Sequence, residues 1–202
     1  MNLPNKISLT RILLIPVFVA AFFLDGILPF AFGIAAIIFA IAACTDFIDG
    51  KIARSRGLVT NLGKFLDPIA DKVLVSTAML LLLTMKDSLF AVLGDACEAI
   101  YITTAICTCV IMARELIISA FRQIAAANNV IMAAEKLGKY KAACQDVAIF
   151  VLIFAGGLLE LNETVALYVT WGGLALFAVA TILTVISGIS YVVKNKQVLK
   201  DN

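Results

Sequence analysis

The chain has 202 residues, 62% of them hydrophobic and 15% charged, with a formal net charge of +2. Its mean hydropathy is +1.04. A soluble domain is about 45–50% apolar, so the composition excludes an ordinary soluble protein and points to one integral membrane domain over 1–202. The start, Met1-Asn2-Leu3-Pro4-Asn5-Lys6, lacks a basic region followed by a small-residue cleavage site. The first apolar run is therefore expected to stay in the membrane.

Residues 1–11 carry Pro4, Lys6 and Arg11 and are expected to form an interfacial segment leading into a first helix, roughly 7–24. Asp25-Gly26 and Pro29 break that helix. A second helix is expected over 28–56, a turn at 57–61 and a third helix over 62–85, with Pro68 tolerated near its start. Residues 86–98 read as a loop. A fourth helix is expected over 99–126, a turn at Asn128-Asn129, a fifth helix over 138–159 and a sixth over 164–193. Each apolar run approaches the roughly 20 residues that cross a ~30 Å hydrocarbon core. Gly156-Gly157 and Gly172-Gly173 would permit close helix packing.

Six helices put both termini on one side. Lys6, Arg11, Lys51, Arg54, Arg56, Lys64, Lys72, Arg114, Arg122, Lys136, Lys139, Lys141, Lys194, Lys196 and Lys200 fall at that side, and Lys86 falls at the other. The opposite loops hold Asp25, Asp87, Asp95, Glu98, Glu160 and Glu163. The positive-inside rule then places both termini in the cytoplasm. The expected fold is an all-α integral membrane protein of six transmembrane helices with a cytoplasm-facing polar cavity. The five cysteines form no ligand pattern and are expected to be small buried hydrophobes.

The chemistry centres on residues 45–72. Asp46 and Asp49 are spaced i, i+3, and Asp67 and Asp71 are spaced i, i+4, so on helices each pair shares a face. Carboxylates at membrane depth are costly and mark sites or pathways. Four together would repel without a cation, and hard oxygen donors suit Mg²⁺, Mn²⁺ or Ca²⁺. Gly50, Ala53 and Gly63 leave space beside these acids, and Arg54 can make paired bonds to phosphate oxygens. A second polar set, Arg114-Glu115, Arg122, Lys139 and Lys141, offers in its arginines and lysines cations for a phosphate dianion. There is no histidine, so a general base must be a carboxylate, lysine, tyrosine or thiolate.

The pattern Asp46-x-x-Asp49-Gly50-x-x-Ala53-Arg54, eight residues, then Gly63-x-x-x-Asp67-x-x-x-Asp71 resembles the signature of the CDP-alcohol phosphotransferase family without departure. Ala113–Arg122, Gly138-Lys139-x-Lys141 and the opening Asn2–Asn5 with Ser8, Arg11 and Pro16 resemble the family branch that forms phosphatidylglycerophosphate. That branch usually has Thr where this chain has Ala142 and Ser8.

The resemblance implies transfer of a phosphatidyl group from CDP-diacylglycerol to sn-glycerol 3-phosphate. It implies metal ligands Asp46, Asp49, Asp67 and Asp71 for one or two Mg²⁺ or Mn²⁺ ions. It implies CDP contacts at Asp46, Asp49, Gly50, Ala53, Arg54, Gly63 and Asp67, with Asp71 as the base. The acceptor phosphate would meet Arg114, Arg122, Lys139 and Lys141. Serine, inositol phosphate and phosphatidylglycerol are alternative acceptors within the family. An ion-coupled transporter would favour inverted repeats and broken mid-span helices, and neither is visible. The resemblance also implies a homodimer in a bacterial cytoplasmic membrane, with the lipid bilayer as a partner and no nucleic acid.

Overall fold

The computed structural model describes the backbone over 3–56, 61–127 and 136–195, and side chains over 9–45, 69–125 and 137–195. The side chains of Asp46, Asp49, Gly50, Ala53, Arg54, Gly63 and Asp67 lie outside the described residues. So do residues 57–60 of the turn expected at 57–61, and the turn expected at Asn128-Asn129.

Every regular element among the described residues is helical. They are α1 (Leu3–Phe22), α2 (Ala31–Arg56), α3 (Asn61–Thr84), α4 (Cys97–Ala127), α5 (Lys136–Leu158) and α6 (Glu163–Lys194). The helix starts at Leu3, so the expected 1–11 segment is largely continuous with α1. The expected loop at 86–98 is instead a π-type turn, Lys86–Phe90, followed by a 3₁₀ turn, Ala91–Ala96. Gly94, at φ 58°, makes a kink inside the second of these turns, just before α4.

Local chemistry sets the boundaries. Gly26 takes φ 79° where the chain leaves α1. Phe30, at φ 60°, is held before α2 because its N–H donates to Glu160 Oε2 at 2.8 Å. Asn162 caps α6 by accepting from the Val165 N–H at 3.1 Å. Glu163 in the first turn and Lys194 in the last complement the helix dipole.

The core joins α1, α2, α3 and α5. Phe18, Phe39, Leu74, Leu82, Ile149 and Leu152 are all buried there. α2 packs on α1 and α5, α5 packs on α6, and α4 packs on α6. Close approach at the α2–α5 crossing depends on glycine. A Cβ on Gly157 would lie 2.6 Å from the Gly33 nitrogen. On α6, a Cβ on Gly173 would lie 2.8 Å from Leu152, while Gly172 faces open space.

The outer surface is apolar. Leu13, Ile41, Leu80, Ile106, Ile117, Tyr168, Ile182 and Ile189 are exposed. Among the described residues, three stretches are long and apolar enough to cross a membrane: Lys86–Ala125, Leu137–Leu158 and Glu163–Lys194. Leu9–Phe22 and Ala31–Thr45 are shorter apolar helices. The cysteines correct the sequence expectation. Cys44 and Cys109 are exposed, and Cys97, Cys107 and Cys144 are half-buried. Small apolar side chains fit an outward face that meets hydrocarbon as readily as they fit a core.

Candidate active site

One end of the bundle gathers the polar side chains. They come from the N-terminal halves of α1, α3 and α5 and the C-terminal halves of α2, α4 and α6. The buried Arg11 places Nε 3.4 Å from Thr45 Oγ1. Lys72 Nζ donates to Ser119 Oγ, joining α3 to α4. Lys141 Nζ donates to Glu115 Oε1 at 2.6 Å, joining α5 to α4. Arg114 Nη2 donates to Ser187 Oγ at 3.0 Å, and Arg122 Nε donates to Tyr191 Oη at 3.2 Å, both joining α4 to α6.

A cavity of about 110 Å³ opens between α3, α4 and α5. A water's share of liquid volume is about 30 Å³, so this space exceeds what one water fills. Its wall takes a stripe from each helix at helical spacing. α3 gives Asp71, Lys72, Val75, Ser76 and Met79; α4 gives Met112, Glu115 and Leu116; α5 gives Lys141, Ala142, Gln145 and Asp146. Carboxylates, ammonium groups and an amide thus line a space whose remaining wall is largely apolar.

Charge pairing orders this wall. Lys141 is 4% exposed. A buried ammonium needs a close partner, and Glu115 supplies one. The same Glu115 oxygen accepts from Arg114 Nη1 at 2.9 Å. Arg114 lies against Gly188 of α6, where a Cβ would come within 3.0 Å of Arg114 Cγ. The absent side chain leaves room for the Arg114 side chain to pass close against α6. Arg114 Nε is buried without a hydrogen-bond partner among the described residues.

Of the residues singled out from sequence, Asp71 and Lys141 reach the cavity wall. Arg114 stands beside Lys141 through their shared Glu115 oxygen. Arg122 is turned to Tyr191, with its guanidinium carbon 5.4 Å from the ring centroid. Lys139 is exposed and is not part of the cavity wall. Sequence reasoning gave no role to Glu115 and missed Gln145 and Asp146. A signal existed for the last two: an amide and a carboxylate side by side in an otherwise apolar run.

Residues 1–186 match the family described as CDP-alcohol phosphatidyltransferase. The chain belongs to that family. It is similar over nearly its whole length to curated bacterial relatives that carry the name CDP-diacylglycerol–glycerol-3-phosphate 3-phosphatidyltransferase. The Bacillus subtilis (strain 168) protein is 38% identical over 209 residues, covering 98% of this chain and 97% of that protein. The Salmonella typhimurium (strain LT2) protein is 37% identical over 194 residues, covering 94% and 92%. The Rickettsia bellii (strain RML369-C) protein is 34% identical over 190 residues, covering 94% and 93%.

For a CDP-alcohol phosphatidyltransferase, the question is whether these donors suit a divalent ion. Among the described residues no three carboxylate, histidine or cysteine groups form a metal site. Three of the four signature aspartates lie outside that set. The backbone is informative: α2 is helical through Arg56 and α3 from Asn61. Positions 46 and 49 therefore share a face of α2, and 67 and 71 a face of α3. The two helices pack on each other, and Asp71 lines the polar cavity. An all-carboxylate set of this kind fits a hard divalent cation.

Proposed function

We propose that this protein transfers the phosphatidyl group of CDP-diacylglycerol to sn-glycerol 3-phosphate, giving phosphatidylglycerophosphate and CMP. One observation carries the reading: the complete aspartate signature lies on two neighbouring helices, and its last member lines a polar cavity that also holds Lys141. The printed activity of the relatives agrees with it.

CDP-diacylglycerol enters from the bilayer, and its CDP moiety lies against Asp46, Asp49, Gly50, Ala53, Arg54, Gly63 and Asp67. Asp46, Asp49, Asp67 and Asp71 hold Mg²⁺ or Mn²⁺, as one ion or two, which when bound supplies neutralisation of the diphosphate charge. Arg54 adds paired bonds to diphosphate oxygens. Arg114, Arg122, Lys139 and Lys141 attract the acceptor phosphate, and Glu115 holds Lys141 and Arg114 together. Asp71 takes the proton of the primary hydroxyl. That hydroxyl oxygen bonds to the phosphorus bearing diacylglycerol, the bond from this phosphorus to the CMP oxygen breaks, and CMP leaves with the electron pair. Such chemistry depends mainly on positioning and charge stabilisation.

The protein works as a multi-pass protein of the bacterial cytoplasmic membrane, with six spans, a cavity open to the cytoplasm, cytoplasmic termini and a homodimeric assembly. The segregation of basic residues supports the orientation, and the apolar helix exteriors support the bilayer setting. Vesicles test acceptor and orientation together. Sealed inverted vesicles carrying the protein and CDP-diacylglycerol should release CMP when sn-glycerol 3-phosphate is added outside. They should release none with serine, inositol phosphate or phosphatidylglycerol. Right-side-out vesicles should stay inactive until permeabilised. CMP release with a different acceptor would reassign the acceptor, and activity in sealed right-side-out vesicles would reverse the topology.

A further inference from the structure

Gln145 is a buried amide that the chemistry above leaves unused. It is 2% exposed, yet it forms part of the cavity wall, one helical turn beyond Lys141 and Ala142. Its Nε2 lies 3.8 Å from Met79 Sδ. A thioether sulfur accepts and does not donate, so this contact orients the carboxamide with its NH₂ toward Met79. Oε1 then has no hydrogen-bond partner among the described residues. Nearly all buried polar atoms in native proteins are satisfied by protein, water or ligand. Beside Gln145 the helix offers the buried Ala148 and Ile149, so the cavity is where a partner can stand. Ala142, on the same face, contributes no hydroxyl and little bulk.

Resting on the acceptor reading above, we propose that Gln145 is a specificity-determining residue. Its Oε1 accepts a hydrogen bond from the secondary, non-reacting hydroxyl of sn-glycerol 3-phosphate. The assignment follows from what each part of that molecule can do. Phosphate and diphosphate oxygens accept and cannot satisfy Oε1. The acceptor phosphate is drawn to the cations, among them Lys141 one turn away on the same wall. The primary hydroxyl gives its proton to Asp71 on α3. The secondary hydroxyl is the donor that remains, and it sits between those two groups in the acceptor's own covalent structure. A site built to pair with a hydroxyl discriminates against an analogue that lacks it.

The test uses the full-length protein and measures CMP release with two acceptors. One is sn-glycerol 3-phosphate. The other is 3-hydroxypropyl phosphate, which keeps the phosphate and the primary hydroxyl but lacks the secondary one. The wild type should prefer sn-glycerol 3-phosphate by about tenfold in kcat/KM, the scale of one hydrogen bond. Gln145→Met, similar in size and without the oxygen, should use the two acceptors equally. Gln145→Glu, which keeps an acceptor oxygen, should retain the preference. Equal preference in the wild type and Gln145→Met overturns the assignment, as does a wild type that does not discriminate. If Gln145→Met fails to fold, an active Gln145→Glu without the preference overturns it. A wild type that releases no CMP with sn-glycerol 3-phosphate removes the acceptor reading itself, and this role with it.

Discussion

Glu115 decides how the cations of the cavity are arranged. Its Oε1 sits 2.6 Å from Lys141 and 2.9 Å from Arg114, so the carboxylate keeps a partner when either cation is removed. Lys141→Ala should therefore fold. Losing a charge-assisted contact to a bound anion costs on the order of 2–5 kcal/mol. At about 1.4 kcal/mol per tenfold, the KM for sn-glycerol 3-phosphate should rise roughly 30-fold or more in steady-state assays. The KM for CDP-diacylglycerol should change little. An unchanged acceptor KM would make Lys141 a structural ion-pair partner only. Asp71 and Lys141 were legible in the sequence because each belongs to a fixed spacing on one helix. The direct pairing of Lys141 with Glu115 was not, because it joins α4 to α5 across 26 positions. Lys139 and Lys141 look alike in sequence, but one is exposed and the other lines the cavity.

The helices themselves were largely legible. Uninterrupted apolar runs with polar ends placed all six within a few residues of their observed limits. The connection between α3 and α4 was less so: Lys86–Ala96 winds into a π-type turn and then a 3₁₀ turn, whose hydrogen bonding composition does not announce. Neighbour choice was also hidden. Both glycine pairs signalled close packing, but three of these four glycines meet a neighbour, and Gly172 meets none. Gly157→Ala would drive a methyl toward the Gly33 backbone, with Gly33 Cα at 2.9 Å. Overpacking of this kind costs about 1–3 kcal/mol. The Tm in detergent should fall by several degrees. Gly172→Ala adds helix propensity in open space, so its Tm should hold or rise. Equal melting of the two variants would contradict the described α2–α5 crossing.

Across the whole molecule, polarity is divided between the two ends. Asp71, Lys72, Arg114, Glu115 and Lys141 gather at one end. The other carries Lys86, paired with Glu98 at 2.7 Å and set over the Tyr101 ring at 5.0 Å. Between them the exterior is apolar, which suits a bilayer and would be costly in water. This division was legible because charge placement follows helix count. The cavity was not, since it requires three stripes from α3, α4 and α5 to converge.

The central claim is that carboxylates on α2 and α3 hold a divalent ion for phosphatidyl transfer. CMP release from CDP-diacylglycerol and sn-glycerol 3-phosphate tests it most directly, run on the wild type with and without a chelator and on Asp46→Asn, Asp49→Asn and Asp67→Asn. Chelation should abolish release, Mg²⁺ or Mn²⁺ should restore it, and each substitution should lose metal-dependent turnover while the protein stays folded. Turnover that survives chelation, or full activity in all three variants, would contradict the account.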